Sequence, residues 1–171
     1  MVIRTFVLKI AITTGLLCVA SYAQAQTTFD IVGAITVGTC QWAVGDDNRT
    51  VVFDPIDASV LNAQGSGNFK TFSLTLQNCA PGMASATFVF GGTPDSADPL
   101  RFLNTGSAQG TAVELESADD LNIGANGTNN SRTVPIVSNG AVIALRAGYW
   151  RVSAVTAGSV ESIATVSVTY Q

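Results

Sequence analysis

Side chains able to do chemistry are few in this sequence, and their spacing points away from catalysis. No histidine occurs among the 171 residues. That removes Ser-His-Asp and Cys-His nucleophile systems, the usual His-containing zinc sites and the commonest general base near neutral pH. Adjacent carboxylates stand at Asp46-Asp47 and Asp119-Asp120. Both pairs lie in polar, loop-like stretches, where solvated turn acids are the ordinary reading and a surface Ca²⁺ site is the alternative. None of the glycine-rich stretches reads Gly-x-x-x-x-Gly-Lys-Ser/Thr behind a strand, so a phosphate-binding loop is not expected. Trp42, Tyr149 and Trp150 suit either a sugar-stacking platform or ordinary strand packing, with packing the more frequent use. Asn48-Arg49-Thr50, Asn126-Gly127-Thr128 and Asn129-Asn130-Ser131 match the glycosylation triplet, a pattern that Asn/Thr-rich loops produce by chance. The expectation is a non-enzymatic chain with no metal and no cofactor.

The N-terminal segment sets the compartment. Arg4 and Lys9 precede an apolar run from Ile10 to Ala20, and the small-residue triplet Ala23-Gln24-Ala25 follows. This is the layout of a cleavable secretory signal over residues 1–25. The apolar run falls short of the roughly 20 residues that cross a bilayer. Cys18 follows bulky Leu17, a poor context for lipid attachment. Cleavage takes Arg4 and Lys9 but none of the 12 acids, so the mature chain is more acidic than the formal −4 of the whole. Such a charge repels nucleic acid and anionic lipid. What remains suits one domain. Cys40 and Cys79 are then the cysteines left, and an oxidising compartment pairs them. Closing a loop of this length stabilises by about 4 kcal/mol in the chain-entropy picture. With no C-x-x-C present, the bond is structural rather than redox-active.

The elements that must position these residues are strands. Phe72, Leu74 and Leu76 alternate with Ser73, Thr75 and Gln77, and Ala86, Phe88 and Phe90 with Thr87 and Val89. Val113 and Leu115 alternate with Glu114 and Glu116, which places the glutamates on a water-facing side. Ile143, Leu145, Ala147 and Tyr149 share one face of a long strand, with Trp150 pointing the other way. The final run, Ile163 to Gln171, turns Ala164, Val166, Val168 and Tyr170 inward and Thr165, Ser167 and Thr169 outward. Residues 63–68, 91–99 and 122–131 read as loops, and Asn139-Gly140 is the strongest hairpin signal. No helical periodicity is found. Short strands joined by loops predict an all-β sandwich.

Phe29, Ile31, Gly33, Ile35 and Val37 form one face of a further strand pattern near the start of the mature chain. An ordinary domain would keep it as its own first strand. Gly33 argues otherwise, because a glycine inside a strand marks close approach by another backbone. In combination the residues resemble the chaperone–usher fimbrial subunits of the type 1 pilus kind, over essentially the whole mature chain. The resemblance rests on the alternating segment with central Gly33 ahead of Cys40, the strand Phe72 to Gln77 leading to Cys79, the penultimate Tyr170, and Gly158 near the end.

That resemblance implies an incomplete immunoglobulin-like β-sandwich, residues 40–171, lacking its last strand and completed by a donor strand from another subunit. It implies a donor segment at 26–39 whose Phe29, Ile31, Gly33, Ile35 and Val37 fill a neighbour's groove. It implies an acceptor groove and chaperone contact formed by Gly158, Ala164, Val166, Val168, Tyr170 and the terminal carboxylate on Gln171. The implied partners are other pilin subunits, a periplasmic chaperone and an outer-membrane usher, with a host-surface receptor for the fibre left open. The implied location is a cell-surface fimbrium of a Gram-negative bacterium, reached through the periplasm. A structural subunit is expected, with a sugar-binding tip or adaptor subunit as the alternative.

Overall fold

Period-two alternation in the sequence reappears as alternation of burial. In strand β3, Ser85–Gly92, Ala86, Phe88 and Phe90 are buried while Ser85, Thr87 and Val89 are half-exposed. The computed structural model describes residues 38–171. The expected signal at 1–25 and the expected donor positions Phe29, Ile31, Gly33, Ile35 and Val37 lie outside the described residues.

Two antiparallel sheets carry the fold. The first runs in the order β1 (Gln41–Trp42), β2 (Ser66–Gln77), β6 (Ala141–Arg151), β4 (Thr111–Ser117). The second runs β5 (Ser131–Pro135), β3, β7 (Ala164–Tyr170). Their inner faces supply one core: Leu74 and Leu76 of β2, Phe88 and Phe90 of β3, Val113 and Leu115 of β4, Ile143 and Leu145 of β6. Burying each such side chain stabilises by roughly 1.5–3 kcal/mol, which explains why alternation predicts the faces so well. The expected all-β sandwich is therefore what the chain builds. A Cys40–Cys79 disulfide joins the start of β1 to the end of β2.

Four local expectations are corrected. A short helix, α1 (Ala58–Gln64), precedes β2; Asp57 caps it by accepting the Ser59 N–H, and Gly65 closes it at φ 85°. Residues 63–68, expected as a loop, are accordingly the end of α1 and the start of β2. The tight turn before β6 is centred one residue earlier than expected, on Ser138 (φ 51°) and Asn139 (φ 60°), between the bridged pair Val137 and Gly140. It joins β5 of one sheet to β6 of the other, so it is a corner rather than a hairpin within one sheet. Finally, Glu114 and Glu116 are buried, not water-facing. Arg101 pairs with Glu114 at 3.0 Å and Arg146 with Glu116 at 2.5 Å, and the Arg101 guanidinium lies 3.9 Å over the Trp150 ring.

Candidate functional site

Strand β7 has β3 as its strand partner on one side and, among the described residues, none on the other. Gln171 and Ser85 exchange both backbone hydrogen bonds, at 3.0 Å each way. In an antiparallel ladder every second residue shares that role, so Thr169, Ser167 and Thr165 also turn their backbone groups to β3. The N–H and C=O groups of Ala164, Val166, Val168 and Tyr170 consequently point to the free edge. The same residues turn their side chains toward the sandwich interior: Val166, Val168 and Tyr170 are half-buried against the core. Ala164 has the inward phase but is exposed, because it stands on the wall of an open groove.

That groove has a volume of about 880 Å³. Phe90, Phe102, Leu115 and Leu145 form part of its floor, and residues 160–166 one wall. The facing wall is the segment from Asp46 to Phe53, of which the sequence marks Asp46-Asp47 only as turn acids and Asn48-Arg49-Thr50 only as a chance triplet. Its later part is positioned at two points: Phe53 stacks edge-on against Tyr149 at 5.1 Å, and Asn68 Nδ2 donates to the carbonyls of Asp54 and Pro55. Val51, Val52 and Phe53 make no backbone–backbone hydrogen bond among the described residues. An extended chain lying between the two walls would find, on both sides, N–H and C=O groups that have no strand partner among the described residues, with apolar side chains beneath.

The other predicted site residues are distributed as follows. Gly158 lies in the β6–β7 connection rather than on the groove wall. A Cβ there would meet the Ala108 backbone N at 2.4 Å, so glycine is required for two loops to touch. The Gln171 carbonyl accepts the N–H groups of Ala84 and Ser85. Trp42 stacks edge-on against Phe88 at 6.0 Å, Tyr149 against Phe53, and Trp150 lies under Arg101. The three aromatics serve separate packing contacts and form no shared platform. Asp47 is exposed, as expected of a turn acid, but Asp46 is buried, accepting the Thr75 N–H at 2.8 Å and Arg49 Nη1 at 2.7 Å. Among the described residues no cluster of three or more His, Cys, Asp or Glu side chains is arranged to hold a metal ion.

The profile of the fimbrial protein family matches residues 29–171. The chain belongs to that family. This fimbrial protein is 30% identical over 164 residues to the S-fimbrial adhesin protein SfaS of Escherichia coli, covering 94% of this chain and 96% of SfaS. It is 29% identical over 122 residues to the fimbrial protein 987P of E. coli, covering 69% of this chain and 61% of that protein. In fold it resembles a subunit in the structure of a chaperone–usher pilus, with a TM-score of 0.66, 20% identity and coverage of 90% of this chain and 100% of that one. The family is one of fimbrial proteins and not of enzymes, and the fold likeness is to an immunoglobulin-like pilin sandwich that lacks a strand.

Proposed function

We propose that this fimbrial subunit builds a surface fibre by strand exchange: its groove accepts a donor strand from a neighbouring subunit, and its own residues 26–39 fill the next. The single observation that carries this reading is the free edge of β7. Among the described residues, Ala164, Val166, Val168 and Tyr170 have no strand partner on their outer side and stand directly above apolar side chains, an edge that aggregates unless a partner strand covers it. The alternation of Phe29, Ile31, Gly33, Ile35 and Val37 fits such an edge, large side chains entering the floor and Gly33 passing where depth is least. On the same reading a periplasmic chaperone covers the edge before assembly, and an outer-membrane usher exchanges it for the donor. The fibre then supports adhesion at the surface of a Gram-negative cell. The separate packing of Trp42, Tyr149 and Trp150 supports a structural role over sugar binding by this chain.

A variant beginning at Thr39, from which the donor positions are missing, tests the reading by thermal unfolding with and without a synthetic peptide of residues 26–39. The expected result is a large rise in Tm with peptide, since a ligand bound at 100 times its Kd stabilises by about 2.7 kcal/mol. A domain already stable and indifferent to the peptide would sink the open groove.

A further inference from the structure

The groove has a far wall only because the chain leaves the first sheet immediately after β1, and one side chain arranges that departure. Gln41 and Trp42 pair with Gln77 and Leu76, so Ala43 stands opposite Thr75. Ala43 N–H donates to the Thr75 carbonyl at 2.9 Å, as the ladder requires. The reciprocal bond is not made by Ala43: its carbonyl accepts the Asp46 N–H at 3.0 Å, closing a turn in which Gly45 has φ 85°. That positive φ at the third position is the type II geometry. The Thr75 N–H is taken instead by Asp46 Oδ2 at 2.8 Å, while Asp46 Oδ1 accepts Arg49 Nη1 at 2.7 Å. The carboxylate thus stands in for a backbone carbonyl at the rung where the ladder stops. Beyond it residues 47–53 line the groove.

We infer that Asp46 is the positioning residue of the groove: it ends the β1–β2 ladder with its own side chain and sends residues 47–53 across to the groove, giving an inserted strand two hydrogen-bonding walls instead of one. The inference rests on the strand-accepting reading above. Asp46 is 7% exposed, and both of its oxygens are occupied. Removing it leaves the Thr75 N–H without an acceptor and Arg49 without its partner, so the wall behind Asp46 loses its fixed end. The opposite wall, β7 on β3, does not touch it.

The test uses the full chain, refolded with an excess of fluorescent peptide of residues 26–39 and then chased with unlabelled peptide. Release rates are compared for wild type, Asp46→Ala, Asp46→Asn and Asp95→Ala. Asp95 is an equally buried carboxylate that caps Ala97 and Asp98 but does not line the groove. Asp46→Ala is expected to speed release about tenfold, the scale of one lost hydrogen bond to a charged acceptor. Hydrogen exchange at the Thr75 amide should quicken with it. The carboxamide oxygen of Asp46→Asn still accepts the Thr75 N–H, so release should stay within about threefold of wild type, and this variant carries the test if the alanine protein does not accumulate. Asp95→Ala should lower Tm without changing release. Equal release rates for Asp46→Ala and Asp95→Ala would overturn the inference and leave Asp46 a stabilising residue only. If wild type itself takes up no peptide, the strand-accepting reading falls first, and this inference with it.

Discussion

Glu114 lies on the outer face of β4 with 4% of its surface exposed. Arg101 faces it from the preceding loop, Glu116 from two residues along β4, and Arg146 from β6, with Asp120 beyond Arg146 and Asp98 beside Arg101. Burial pushes the Glu114 carboxyl up to about 7 from an ordinary 4.5; Glu116 adds to the rise, and Arg101 opposes it. Between those two values the folded chain holds a proton that the unfolded chain has released. Stability from this group is therefore complete below about pH 4.5 and is lost as pH rises through 7. A shift of this size corresponds to on the order of 3 kcal/mol. Thermal unfolding of wild type and Glu114→Gln across pH 5 to 8 should show wild type losing stability that the glutamine variant keeps. Parallel curves for the two proteins would refute the assignment. Strand alternation does not reveal this cluster, because it says which side a residue takes and not whether another segment covers that side. Gly158 was visible as a residue but not in its role, which depends on the distant Ala108 backbone.

At the scale of elements, β7 is the most legible part of the molecule and β1 the least. Ile163 to Gln171 alternate without interruption, and burial in the structure follows that phase from Val166 to Tyr170, with Ala164 exposed. The phase makes a sharp prediction about neighbours on one strand. Val168→Asp would place a charge against the core and should cost about 2 kcal/mol or more, whereas Ser167→Asp, on the exposed face, should stay within about 0.5 kcal/mol. Denaturant unfolding of the two variants measures the difference; similar losses would mean that the face assignment is wrong. Helix α1 is hard to see in the sequence because seven residues give under two turns of periodicity, and Leu61 is its only buried residue. The local signals of this helix are the Asp57 cap and Gly65. The far wall of the groove is hidden in the sequence for a related reason: Val51, Val52 and Phe53 carry no alternation longer than three residues. Their place rests on the Phe53–Tyr149 contact, the Asn68 bonds to the next two carbonyls and, on the inference above, Asp46; a loop acid of that kind looks like any solvated carboxylate until Thr75 is brought beside it.

For the whole molecule, the proposed strand exchange would link stability and assembly through the same edge. Two sheets share one core, one tie at Cys40–Cys79, and a groove of about 880 Å³ whose floor is apolar. On the strand-exchange proposal, filling that groove with a strand would cover its apolar floor, and the filled state is then the more stable one. The same strand supplied within one chain should therefore convert a fibre former into a monomer. A copy of residues 26–39 appended after Gln171 through a flexible linker lies close to β7 and can return along its free edge by a single reversal, the antiparallel sense of a hairpin. Light scattering at concentrations where wild type polymerises should then report a monomer, and its Tm should exceed that of the variant beginning at Thr39. Replacing the appended copy's counterpart of Gly33 by tryptophan should restore association, since a ring at that position prevents the strand from seating. Continued polymerisation of the extended chain, or indifference to the tryptophan, would separate fibre formation from the β7 groove and place the subunit contact elsewhere on the sandwich.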